Sequence, residues 1–495
     1  MSENIILPPP PVFFIKSISE QGYTLSTAIA DLIDNSITAT ADRVEILIDS
    51  GSPPLKLFIA DNGKGMSATE LTENMRFPSA DLESHRAGKD LGRFGLGMKT
   101  ASFSQSRKFT VISRKDESRF QGRTWDVEYL KKTKDWTLLV EDEEQSEAVL
   151  ADYVRISNKF HQHQDNFRVG TLIVWDNLHK LGKLSKKNEI NDELDELRSH
   201  LGLVFHRFIQ NSSLQIRLNN SLVEAFEPFP EKASGVTLVS EQFWKNSETY
   251  IRFQGLILPK RSAQESKQGE TQWAPANMTL EELQGLFVYR NDRLINFGGW
   301  LRSIPKSSYL QFGRIMIDIS NVNDSEFQLN VAKSSLKIPF ELKRAMTQMI
   351  ISVAQKAKDE YRERLVGNVI RSADPTGGLA LITRVNGADG PVLKINRQFG
   401  ILGRLQSGLN HEQNDLMASL LVLVENKLNE IWHGDNSHLE INDSPDENIK
   451  ARIVKIKKYY EESGYSRAEV RNFLLDSFGR NLHTQNFIDS LNDGF

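Results

Sequence analysis

Three short segments between Ala28 and Ser102 carry residue types suited to chemistry. Ala28-Ile29-Ala30-Asp31-Leu32-Ile33-Asp34-Asn35-Ser36 sets Asp31 and Asn35 four apart, on one edge of a helix. Asn35 offers a hard amide oxygen to Mg²⁺, which takes only one or two protein ligands. Asp31, one turn earlier, can orient a water as general base, with Asp34 as a second acid nearby. In Asp61-Asn62-Gly63-Lys64-Gly65-Met66, a carboxylate at a strand end can accept from an exocyclic amine such as that of adenine. Gly63 and Gly65 permit close approach of a ligand. Gly92, Gly95 and Gly97 precede a helix containing Lys99, and the amides of such a loop cradle phosphate oxygens. Met98 separates Gly97 from Lys99, which excludes a Walker loop, and the glycine spacing is the reverse of the dinucleotide fingerprint. Taken singly, the segments have ordinary readings as an acidic helix face, a β-turn and a flexible loop. Together they suit a metal-bound nucleotide.

The surrounding pattern must position them. Leu25, Ile29, Leu32 and Ile33 recur at helical spacing, which predicts a helix carrying Asp31, with Gly22 as a break before it. Val44, Ile46 and Ile48 alternate in one strand, and Leu55, Leu57 and Ile59 alternate in a second that runs into Asp61. Residues 67 to 91 read as a helical start followed by a polar lid. Strands are expected over Lys108–Ser113, Arg123–Tyr129 and Gly170–Trp175. The prolines Pro8 to Pro11 are expected to join neither a helix nor a central strand, so the N-terminus reads as an apolar arm, strapped to its own domain or exchanged with a second subunit. Beyond a boundary near 188, a helix over Glu189–Phe208 leads to strands at Leu214–Leu218, Tyr250–Leu258, Leu286–Tyr289 and Arg314–Ile319. A long helical pattern runs from Phe340 to Arg371, and the remainder is mainly helical.

A length of 495 residues implies several domains. The net charge of −4 gives no global signal for nucleic acid. The absence of cysteine excludes disulfides, thiolate metal sites and cysteine nucleophiles. With no signal-peptide pattern at Met1 and no apolar run of membrane-spanning length, a cytoplasmic protein without a membrane partner is expected. His161 and His163 lack further ligands close by to make a metal site. The basic residues of Lys450–Lys458 could touch a phosphate backbone or form a solvated helix face.

The three segments, in this order, resemble the Bergerat-fold (GHKL) ATPases, the group of gyrase B, the ninety-kilodalton heat-shock chaperone, sensor histidine kinases and MutL. Ala28–Asn35 and Gly92–Lys99 are most similar to the MORC-type branch. The resemblance implies an α+β multidomain protein: an α/β sandwich ATPase domain over 1–188, a transducer over 189–345, a connecting helix over 346–375 and a mainly helical region over 376–495. It implies ATP and Mg²⁺, with Asn35 on the metal, Asp61 and Thr171 at the base, Met66 lining the pocket, and Gly92, Gly95, Gly97 and Lys99 on the phosphates. Val288–Ile295 resembles the MORC-branch transducer. Phe327–Lys333 resembles a chaperone segment whose cation reaches the γ-phosphate, which makes Lys333, with Lys337 second, the expected cation. The family's general base is Glu. Here Asp31 stands on a shorter stem, and because positioning dominates phosphoryl transfer, slow hydrolysis is expected.

By the same resemblance the chain acts as an ATP-dependent homodimeric clamp or switch, on DNA or with a nuclease or other defence-system partner. A non-hydrolysing nucleotide-sensing scaffold and a chaperone-like protein are alternatives. A phosphotransfer kinase is disfavoured, because no histidine precedes the core.

Overall fold

The structure, a computed structural model, describes residues 9–20, 22–49, 55–77, 96–116, 118–160, 167–179, 181, 187–219, 221–245, 250–259, 273–320, 339–370, 380–387, 390–433, 447–478 and 482–491. The chain forms two compact units, Met1–Lys358 and Asp359–Phe495. It is a mixed α+β protein with two main sheets followed by a mainly helical C-terminal region.

The first unit opens with α1 (Pro11–Ser19), which begins inside the proline run. Pro11 stands at the first helical position, where a missing N–H costs no hydrogen bond. Ile15 and Ile18 enter the core, Phe14 packs edge-on against Trp136, and the Trp136 indole donates to Pro9 O at 3.1 Å. Residues 9 to 19 thus pack on the core of the same chain.

Helix α2 (Leu25–Thr38) starts at a capping box. Thr24 Oγ1 accepts from Thr27 N at 3.2 Å while Thr24 N donates to Thr27 Oγ1 at 3.0 Å, which satisfies otherwise orphaned donors. Ala28, Ile29, Leu32 and Ile33 are buried against β1 (Arg43–Asp49) and β2 (Lys56–Asp61). These strands belong to an eight-stranded sheet ordered β5-β4-β3-β6-β2-β1-β7-β8. The other members are β3 (Ser106–Ser113), β4 (Gln121–Asp126), β5 (Leu139–Glu141), β6 (Thr171–Leu178), β7 (Gln215–Leu218) and β8 (Ser221–Leu222).

Alternation along the strands feeds two cores. Val44, Ile46, Ile48, Leu57 and Ile59 face α2, while Leu47, Phe58 and Ala60 face α6 (Glu143–Phe160) with its Tyr153 and Ile156. Glu45, on the α6 side, is buried because the Tyr153 hydroxyl and Ser157 Oγ both donate to its Oε2. The strand expected over Arg123–Tyr129 stops at Asp126, whose carboxylate accepts from Glu128 N at 2.8 Å and caps a short helix, Val127–Thr133.

The first sheet also draws on residues beyond 188. Strand β7 runs parallel to β1, with Val44 opposite Ile216, and α7 (Lys187–Val204) packs on α2. A hydrophobic β1 edge needs such a cover. Next come α8 (His206–Gln210) and a five-stranded sheet ordered β12-β11-β13-β10-β9. Its strands are β9 (Thr237–Lys245), β10 (Tyr250–Ile257), β11 (Gly285–Arg290), β12 (Arg293–Phe297) and β13 (Gly313–Ile319). Asn291 and Asp292, with φ of 48° and 66°, make the two-residue hairpin turn between β11 and β12.

The unit boundary falls within the helix Phe340–Ile370. The second unit holds a hairpin, Ile382–Gly387 with Gly390–Ile395, and helices that include Glu447–Glu462. On that helix four lysines pair with acids, Lys450 with Glu447, Lys455 with Asp415, Lys457 with Glu461 and Lys458 with Glu462, and Arg452 donates to Ala418 O. Among the described residues, no helix is long and apolar enough to cross a membrane.

Candidate functional site

The site forms where α2, the end of β2, the start of β6 and α4 (Gly97–Gln105) meet. Asp31 and Asn35 occupy successive turns of α2. Asp31 is buried at 9% exposure, and Asn35 is exposed. Tyr23, just ahead of the helix, donates its hydroxyl to Asp31 Oδ2 at 2.9 Å. Burial first, then the Asp31 charge, raises the Tyr23 pKa well above its ordinary value, so the phenol stays protonated and remains a donor. Gly97 opens α4, and a Cβ there would lie 3.9 Å from Asp31 Oδ2. The start of α4 has no side-chain cap, unlike α2. Its first-turn amides thus lie beside the acid helix without the cap that satisfies those of α2.

Asp61 ends β2, opposite Thr171 on β6 and Val44 on β1. Ser36, one residue after Asn35, donates to Asp61 Oδ2 at 3.0 Å, and Gly63 N donates to Oδ1 at 2.9 Å. Burial raises the Asp61 pKa to about 6, and the Gly63 and Ser36 hydrogen bonds partly counter it. One donor on each oxygen leaves further lone pairs for a ligand amine.

The glycines let the loops close on each other. Gly65 has φ of +64°, and a Cβ on it would sit 1.8 Å from Arg114 O. A Cβ on Gly170 would sit 2.0 Å from Gly63 O. Ser113 ties the layers together. Its Oγ accepts from Met66 N at 2.9 Å and lies 2.9 Å from Thr171 Oγ1 and 3.1 Å from Gly170 O. Met66 itself is half-buried.

Lys99 is in α4 but fully buried, and its Nζ donates to Asn74 O at 2.7 Å near the end of α3 (Ala68–Met75). Burial lowers its pKa to about 7. Helix α3 supplies the helical start expected of the lid. Residues 78–95, with Gly92 and Gly95, lie outside the described residues, as do His161, His163, Lys333 and Lys337.

The structure adds residues that sequence spacing did not single out: Tyr23, Ser36, Ser113, Gly170 and Arg293. Gly170 had a signal as the neighbour of Thr171, Ser36 as the last residue of the first segment and Arg293 as a member of Val288–Ile295, but none was given a role. Arg293 opens β12 directly after the Asn291-Asp292 turn, and its Nε donates to Asp34 Oδ1 at 3.0 Å. Its Nη2 lies 4.0 Å from Asp31 Oδ1. Asp34 is 1% exposed, so its carboxylate faces this arginine and not solvent.

Residues 23–161 match the family model described as Histidine kinase-, DNA gyrase B-, and HSP90-like ATPase. This segment, under a third of the chain, is similar to GHKL-type ATPase domains, which supports ATP binding. No curated protein matches the chain.

Two consequences can be measured. Gly65→Ala forces a side chain into a left-handed backbone and against Arg114 O. A loss of roughly 2–4 kcal/mol in denaturant-unfolding stability is expected. Asp61 holds its proton more tightly in the folded protein than in the unfolded chain. The stability it contributes is therefore complete below its ordinary value of 3.8 and is lost as pH rises through about 6. Between those limits wild type should lose about 3 kcal/mol relative to Asp61→Asn, read from urea unfolding across pH 4 to 7.

Proposed function

We propose that this protein binds ATP and hydrolyses it slowly, using the exchange to switch between states of a dimer. The observation that carries this reading is the approach of Gly97 to Asp31, which opens the glycine-loop helix onto the acid edge of α2. In this reading Asp61, with its oxygens fixed by Ser36 and Gly63, accepts from the adenine amine, and Thr171 and Met66 complete the base pocket. The glycine loop, through Gly92, Gly95 and Gly97, takes the phosphates. Lys99 joins them by leaving Asn74 O. The exposed amide oxygen of Asn35 fits a single hard ligand to Mg²⁺, which would draw charge from the phosphates when bound.

Asp31 orients a water for in-line attack on the γ-phosphorus. The water oxygen–phosphorus bond forms, the bond to the bridging oxygen breaks, and the water's proton passes to the carboxylate. Lys333 is the proposed cation on the transferring group. A dimeric clamp on DNA or in a defence complex follows from the MORC resemblance.

The second reading, a nucleotide-sensing scaffold, is favoured by one observation: Asp31 Oδ2 already accepts the Tyr23 hydroxyl. Phosphate release should fall at least tenfold in Asp31→Asn, with ATP affinity by titration calorimetry within about threefold of wild type. Equal turnover in both proteins takes the base role from Asp31 and favours the scaffold, and turnover with and without DNA tests the clamp. Light scattering should show the dimer population rise when a non-hydrolysable ATP analogue is added. A protein that stays monomeric with analogue bound is not an ATP-gated dimer.

A further inference from the structure

We infer that Arg293 of the second sheet is a positioning residue for the acid helix, holding Asp31 in register for water activation through its pairing with Asp34. This rests on the reading of Asp31 as the base for ATP hydrolysis. The guanidinium is 6% exposed and reaches α2 with two nitrogens. Nε meets Asp34 Oδ1 at 3.0 Å, and Nη2 points to Asp31 Oδ1 at 4.0 Å. Nη1 returns to Leu294 O at 2.9 Å, and the cation lies 5.6 Å from the centroid of Phe205, so the group is held from its own strand and from the first domain alike. On the other side, Tyr23 holds Asp31 Oδ2. The Asp31 carboxylate thus sits between a phenol fixed before α2 and a guanidinium delivered by β12.

A carboxylate on a one-carbon stem has little reach, so small rotations of α2 move it off the line of attack. The Tyr23 hydrogen bond and the Arg293 charge 4.0 Å away, from different elements, restrict that freedom. The planar fork of arginine spans Asp34 and Asp31 at once, which a lysine ammonium cannot do. The arginine itself is placed by the Asn291-Asp292 turn, whose Asp292 carboxylate is held by Arg207 Nη1 at 3.0 Å. Movement of the second sheet therefore reaches Asp31 through one side chain.

The test compares full-length wild type, Arg293→Lys and the double variant Arg293→Gln/Asp34→Asn. The readouts are single-turnover phosphate release, ATP affinity by calorimetry and thermal unfolding. The expected result is a roughly tenfold or larger loss of turnover in both variants, with ATP affinity within about threefold of wild type. The double variant, which removes both charges of the Arg293–Asp34 pair and leaves Asp31 its Tyr23 hydrogen bond, should unfold near the wild-type temperature and still turn over slowly. If the double variant regains both stability and turnover, Arg293 is only a structural ion-pair partner and the inference is overturned. Wild-type turnover in Arg293→Lys overturns it also, and leaves the ATPase reading intact. A wild type that binds ATP but releases no phosphate removes the reaction assigned to Arg293, overturns the inference together with the hydrolysis reading, and favours the scaffold. A wild type that binds no ATP overturns both readings.

Discussion

The buried ion pair between Arg293 and Asp34 is the constraint on which the arrangement of the first unit depends. Both groups are buried, Arg293 at 6% and Asp34 at 1% exposure, so their charges depend on protein partners and not on solvent. Removing one partner of such a pair typically costs about 3–5 kcal/mol, because the remaining charge is stranded. The pair joins the second sheet to α2, 259 residues apart in sequence, on the helix that carries Asp31 and Asn35. A second arginine runs the opposite way. Arg207 of α8 donates to both oxygens of Asp318 on β13, at 2.7 and 3.2 Å, and stacks 3.7 Å from the Tyr289 ring centroid. Two crossing pairs of this kind fix orientation more firmly than apolar contact alone, because their hydrogen bonds are directional.

Within that frame the site is assembled by close backbone approach. Gly65 and Gly170 let the turn after β2 and the turn before β6 meet at distances that any side chain would forbid. Ser113 then bridges the layers with one hydroxyl. The result is a closely packed floor beside Asp61, while α4 next to it has no side-chain cap at its start. Half-buried His200 on α7 fits the same picture. Burial, with a smaller push from Arg293, lowers its pKa to about 4, so it remains neutral at physiological pH and adds no competing cation near α2.

Sequence alone carried the local features a long way. The helical spacing of Leu25, Ile29, Leu32 and Ile33 marked α2, and alternation marked β1 and β2, because these patterns follow from the geometry of a single element. The order of three short motifs pointed to a GHKL-type ATPase domain, and residues 23–161 match an ATPase family model. What escaped has a common cause. Helix α6 is rich in charge and shows its apolar face only against a sheet that spacing cannot reveal. The chain looked divided near residue 188, yet β7 returns to β1, since parallel pairing leaves no local mark in either strand.

The sequence by itself determined that a carboxylate and an amide would share a helix edge, that an acid would end a strand before two glycines, and that glycines would precede Lys99. Each of these is a matter of spacing within one element or one turn. Only the tertiary structure decided which partners those groups keep. Tyr23 reaches Asp31 across 8 residues, Ser36 reaches Asp61 across 25, and Arg293 reaches Asp34 across 259. No periodicity encodes such separations. They arise because burial removes water as a partner, and each polar group must then find whichever complement the packed core brings within hydrogen-bonding distance.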